Sequence, residues 1–159
     1  MPHEALFPDA PPRRNLFLTL LGVLAVGVTL QLVRADGDIE LTTSCTTPAF
    51  ALSELAAARG RPVRWSMTGP DDGLYILAVD TGDFTRNDNG TYSPLPAAGV
   101  DRADIQAASP PTRLGEECRE TGTFSIVSVP PGEHSVTMFR LTPARAERLG
   151  STPFTVLDD

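Results

Sequence analysis

The hydrophobic rhythm of the chain changes once, near residue 35. From Asn15 to Val33 no side chain is charged, and the run Leu16 to Val26 is apolar on every side. Nineteen helical residues at 1.5 Å each reach about 28 Å, close to the roughly 30 Å hydrocarbon thickness of a bilayer. A soluble amphipathic helix would keep a polar stripe. Arg13 and Arg14 precede the run, while Asp36, Asp38 and Glu40 follow it together with Arg34. The positive-inside rule then sets the N-terminus in the cytoplasm and the C-terminal part outside. The pattern predicts a cytoplasmic tail (1–14), a single transmembrane helix (15–34) in the cell membrane and an extracytoplasmic domain (36–159). Val33-Arg34-Ala35 also suits a signal peptidase, which would release the domain by cutting between Ala35 and Asp36. The run is longer than the about 7–15 apolar residues of a cleaved signal, which favours a retained anchor. Arg13-Arg14-Asn15-Leu16-Phe17 resembles a twin-arginine signal, but so short a motif reads better as the positive flank of a span.

Beyond the span the period becomes two. Residues 38–42 alternate apolar with polar as a first strand, and Val63, Trp65 and Met67 alternate with Arg64, Ser66 and Thr68 as another. Gly69-Pro70-Asp71-Asp72-Gly73 is a turn by composition. Leu74 to Val79 is continuously apolar, the mark of a strand covered on both faces. Strand character returns at 123–129, 133–141 and 153–157. Between these, Thr47 before Pro48, an Ala- and Leu-rich stretch and Gly60 predict a helix over 48–59, a candidate for the second cover of 74–79. Thr142-Pro143 and Gly150 bracket a second, shorter helix. The expected fold is mainly β, one extracytoplasmic β-sandwich with one or two short helices.

Residues 80–122 break the rhythm with Pro94, Pro96, Pro110, Pro111 and many Asp and Gly. Such a stretch reads as a Pro-rich insertion, since long loops in compact domains are uncommon and often functional. Phe84, Tyr92, Leu95, Val100, Ile105 and Leu114 are the apolar side chains within it that could contact a partner. On this reading, deleting 86–112 leaves the sandwich folded.

Composition removes several functions. The chain has 13 cationic side chains, all of them Arg. Without lysine there is neither a Schiff-base nor a P-loop chemistry. From residue 36 onward 18 acids stand against 10 Arg, a net charge of −8. Such a surface repels phosphate backbones, so nucleic acid is not an expected partner, and anionic lipid surfaces are disfavoured for the same reason.

Cys45 and Cys118 are the only cysteines, and both fall on the exported side. An even count in an oxidising compartment predicts one disulfide, and no Cys-x-x-Cys motif supports a redox role. His134 is the only histidine beyond the span, and a lone His holds no metal cluster; a packed, hydrogen-bonded strand residue is the expected role. Asn87-Asp88-Asn89-Gly90 departs from a calcium loop, with Thr85 and Pro96 at the acid positions, and reads as a turn. Asn89-Gly90-Thr91 is formally a glycosylation sequon. Cys45, Trp65 and Cys118 suggest an immunoglobulin core, but Glu116 stands where such a domain has its corner Tyr. No cofactor is implied.

Residues 123–137, Thr-Phe-Ser-Ile-Val-Ser-Val-Pro-Pro-Gly-Glu-His-Ser-Val-Thr, carry alternating apolar positions into a Pro-Pro-Gly turn and out again. The stretch resembles the end of transthyretin-like and collagen-adhesin B-type sandwich domains. Gly132 and Val136 match that pattern, and His134 replaces its usual Tyr. The resemblance covers about 20 residues and implies a sandwich that binds or spaces rather than catalyses; the isopeptide-forming Lys of those domains is missing. The expected function is a membrane-anchored, non-enzymatic binding or accessory module facing a protein or cell-envelope component. The alternatives are a small exported hydrolase using a Ser with His134, and a structural spacer.

Overall fold

The structure, a computed structural model, describes residues 41–158. The expected tail, the expected transmembrane segment and most of the strand expected at 38–42 lie outside the described residues, and Leu41 and Thr42 carry no strand. Over the described residues run β1 (Ala49–Leu52), β2 (Ala56–Ala58), β3 (Pro62–Thr68), β4 (Leu74–Val79), β5 (Thr81–Arg86), β6 (Tyr92–Pro96), β7 (Gln106–Ala107), β8 (Arg119–Ser125), β9 (Gly132–Leu141) and β10 (Ala146–Leu157). The fold is mainly β, and the described residues contain no helix.

Three sheets form: β1-β3-β8, β2-β10-β9-β4-β7 and the hairpin β5-β6. Period-two alternation sends Val63, Trp65 and Met67 of β3 to the same interior as Tyr75, Leu77 and Val79 of β4. Val136 and Met138 of β9 and Phe154 and Val156 of β10 complete that core between the two larger sheets. Each such side chain contributes about 1.5–3 kcal/mol when fully buried.

Both expected helices are strands. Residues 49–52 pair antiparallel with β3, then 56–58 cross to the other sheet and run parallel to β10. Helix propensities differ by only about 0.7 kcal/mol per ordinary residue, less than burying one side chain such as Leu52. The segment completes an edge of each sheet, which a helix could not do. Gly60, at φ +73°, still ends the segment, as a turn donating to Ile126 O at 2.8 Å. At 142–150, the Thr142 hydroxyl and backbone close a turn on Arg145, and β10 begins at Ala146. The long antiparallel ladder of β9 with β10 outweighs the local preference of Ala-Glu-Arg-Leu.

The stretch 80–122 is likewise no separable insertion. It supplies β5, β6, β7 and the start of β8, so removing 86–112 takes away ladder partners of β4 and β5. The disulfide joins Cys45 to Cys118, with Cα atoms 5.0 Å apart. Buried Thr68 sits between its arms: Ser44 O at 2.9 Å and Cys118 O at 2.8 Å share its one hydroxyl proton, and the hydroxyl oxygen accepts Ser44 N at 2.7 Å.

Candidate functional site

β4 is covered on both faces, and its second cover is the β5–β6 hairpin. Ile76 and Ala78 alternate away from the main core and join Phe139 and Leu141 of β9 in a second apolar cluster. Phe84 of β5 closes this cluster edge-on to Phe139, with ring centroids 5.0 Å apart. Tyr92 of β6 packs beside them and donates its hydroxyl to Thr142 O at 2.7 Å. At the hairpin tip, Asn87 N donates to Thr91 O at 2.8 Å, and Gly90 takes φ +82°. The Asn-Asp-Asn-Gly motif is thus a turn, as expected.

Asp80 fixes the root of the hairpin. Its backbone turns at φ +52°, a left-handed conformation that Asp tolerates better than most residues. Its N–H donates to Ser135 O, its carbonyl accepts Ala97 N, and Oδ1 accepts Ser135 N at 2.9 Å. Oδ2 lies 2.5 Å from His134 Nδ1, while His134 Nε2 donates to Pro130 O at 2.7 Å. Both ring nitrogens are therefore engaged, and no Ser hydroxyl among the described residues bonds to the ring.

The hairpin leaves part of the sheet face open. A groove of about 490 Å³ runs between Ile76, Ala78 and Leu141 below, Phe84 and Tyr92 on one side, and Ile105, Gln106, Ala107 and Pro111 on the other. Its volume is in the range of small-ligand pockets. The polar side chains on its walls are spent within the protein. Gln106 Nε2 donates to Ser125 O and its Oε1 accepts Val127 N. Thr91 Oγ1 bonds Asn87 and Asn89, and Thr81 Oγ1 donates to Val79 O. The lining is accordingly apolar.

A second cavity of about 430 Å³ adjoins it, sharing Leu74, Gly90, Tyr92 and Leu141, and here the walls are charged. Asp72 accepts the Tyr75 hydroxyl at 2.8 Å and is paired with Arg140, whose other terminal nitrogen donates to Glu147 at 2.6 Å. Burial first, then the hydrogen bond and charge of Asp72, push the Tyr75 phenol up to about 12. The hydrogen bond from Arg140 holds the Glu147 carboxyl below its usual range, and Glu147 in turn raises Arg140. Arg113 lies 3.7 Å from Asp71, an exposed pair. The exposed Arg86 side chain has no ion-pair or hydrogen-bond partner among the described residues.

Of the six apolar residues singled out from sequence, the fold brings Phe84, Tyr92 and Ile105 to this groove. Leu114 is buried in the main core instead. Leu95 is exposed and Val100 half-buried, and neither lines the groove. Sequence reasoning did not single out Ile76, Ala78, Leu141 or Arg86 for the site. The continuous apolar run 74–79 signalled a second buried face, which is the floor of the groove.

No family model and no curated protein matches the chain. Among solved structures it is similar to Spo0M, a sporulation control protein from Bacillus subtilis, at 14% identity and a TM-score of 0.41 over 73% of this chain and 51% of that one. It is also similar to the Pseudomonas fluorescens alkylpurine DNA glycosylase AlkC bound to DNA containing an abasic site analog. There the identity is 14% and the TM-score 0.33, over 71% of this chain and 31% of the other. The chain spans about half of the first structure and about a third of the second, and neither likeness assigns it a function.

Proposed function

We propose that this chain is a membrane-anchored, extracytoplasmic β-sandwich module that binds a ligand in the groove beneath the β5–β6 hairpin. The observation that carries the reading is the apolar groove left between the β5–β6 hairpin and the strand and loop around Ile105. Ile76, Ala78 and Leu141 floor a concave apolar surface that the hairpin roofs without filling. Concave apolar lining with few polar groups is the usual form of a small-ligand site. The disulfide suits an oxidising compartment, and the uncharged run 15–33 behind Arg13 and Arg14 supplies the anchor and its orientation. A hydrolase using His134 is less well supported, because Asp80 and Pro130 engage both ring nitrogens and leave no general base for a Ser.

Two measurements test the proposal on the full chain in its own membranes. A single additional Cys replacing Asn89 is expected to react with a membrane-impermeant maleimide in intact cells, and one replacing Ala5 only after lysis. The opposite pattern would end the topology. A photoreactive benzoylphenylalanine at Ile105 is expected to give adducts of defined mass that one at Arg102, outside the groove, does not give. Equal or absent adducts at both positions would leave the spacer reading in its place.

A further inference from the structure

The groove and the charged cavity beside it are one continuous surface with two chemistries. The apolar part offers no free hydrogen-bonding side chain, since Thr81, Thr91 and Gln106 are bonded internally. The charged part is different at one residue. Asp72 is neutralised by Arg140 and receives the Tyr75 hydroxyl. Glu147 is spent on Arg140, and Arg145 lies 3.8 Å from it. Asp71 faces Arg113 loosely. Arg86, a solvent-exposed side chain, lines the cavity with its guanidinium uncommitted to any carboxylate.

The position of Arg86 matters as much as its freedom. A Cβ on Gly90 would lie 3.6 Å from Arg86 Nη2, so the guanidinium rests against Gly90, and Gly90 lines both cavities. The cation therefore stands where the apolar groove opens into the polar one. Arg113, exposed and only loosely held, lines the same polar cavity. A guanidinium pairs bidentately with carboxylate and phosphate groups.

Resting on the binding reading above, we infer that the ligand is a free single-chain anionic amphiphile. Its alkyl chain lies in the groove over Ile76 and Ala78, and its carboxylate or phosphate meets Arg86 at the junction. The pairing is one of charge complementarity. An anionic head gains a charge-assisted pair with Arg86 that an uncharged occupant cannot make, and a cationic one would meet it in repulsion. A chain of about ten to twelve carbons matches a cavity of this size, each buried CH₂ contributing to affinity in proportion to its apolar area.

The test uses the full chain in phosphatidylcholine nanodiscs and three diazirine-bearing twelve-carbon probes: the carboxylic acid, the alcohol and the trimethylammonium. Adducts are mapped by mass spectrometry. The acid is expected to label peptides containing Ile76 or Ile105 at least tenfold more than either analogue. Arg86→Ala is expected to erase that preference while keeping the alcohol's labelling, and Arg86→Lys to restore much of it. Ala107→Trp and Ile105→Asp, both at solvent-accessible wall positions, are expected to abolish labelling by all three. Equal labelling by the three probes in the unaltered chain would overturn the anionic head while leaving the groove as a binding site. Stronger labelling by the trimethylammonium probe would transfer the head group to Asp71 and overturn the proposal. If a photoreactive phosphatidic acid in the disc labels the groove in place of the free acid, the ligand is a bilayer lipid and the proposal fails. No groove labelling by any probe would remove the binding reading itself.

Discussion

His134 and Asp80 hold the root of the β5–β6 hairpin to β9: Nδ1 of the imidazole lies 2.5 Å from the carboxylate Oδ2, while Nε2 donates to Pro130 O. Both side chains are only 9% exposed. Deleting one member of a buried, hydrogen-bonded pair leaves the other unsatisfied, at a cost of about 3 kcal/mol. Asp80→Ala should lose about that much in urea unfolding, and it should also loosen the hairpin. Asp80→Asn should be milder, near 1 kcal/mol, because its carbonyl can still accept Ser135 N while its amide donates to His134 Nδ1. Equal losses for the two variants would show that the contact contributes little beyond local packing.

The indole of Trp65 lies against Gly122, its ladder partner on β8. A Cβ at position 122 would stand 2.4 Å from Trp65 Cζ2, so the ring, 3% exposed, would have to move. Gly122→Ala is expected to destabilise the domain by about 3 kcal/mol through overpacking. Trp65 is the chain's one tryptophan, so its emission should shift to the red in the same variant. An unchanged spectrum and midpoint would mean the backbone yields there at no cost.

The Cys45–Cys118 bridge spans a sequence separation of 73. On the chain-entropy model, closing such a loop restricts the unfolded state by about 4 kcal/mol. Reduction, or the double variant Cys45→Ala with Cys118→Ala, should lower stability by that order in denaturant titrations. Thr68→Val should weaken the same corner further, since its hydroxyl bonds both arms. Two alkylatable thiols in protein purified without reductant would contradict the bridge.

Tyr75 predicts an alkaline limit. Its phenol titrates at about 12 in the folded chain against 10.0 when free of the fold. Between those values the unfolded chain has already lost the proton that the folded chain keeps. Stability from this group is therefore complete below pH 10 and is lost as pH rises towards 12. Thermal midpoints should fall across that window, and Tyr75→Phe should flatten the fall. Absorbance at 295 nm should show one tyrosine ionising only near the end of the window. A phenolate appearing at pH 10 in folded protein would refute the burial argument.

Much of this molecule follows from residues read in order. The export segment proposed at 15–33 rests on length and flanking charge alone. The strand character of β3, β9 and the last part of β10 (153–157) needs only the pattern of a strand, and the turns at 69–73 and 87–90 need only Gly, Asn and Pro. Two cysteines leave one pairing, Cys45 with Cys118. Tertiary structure decided the rest, because the competing local states differ by less than the packing they serve. Residues 49–58 and 142–150 prefer helix by tenths of a kcal/mol per residue, and ladder bonds with burial reverse that preference. The stretch 80–122 looks like loop because its prolines and glycines mark turns, while two of its strands find their partners outside it, β7 on β4 and β8 on β3. The groove was the least legible part. Its floor comes from β4 and β9, its roof from β5 and β6, and its cation from the hairpin, and only their pairing makes a concave surface of them.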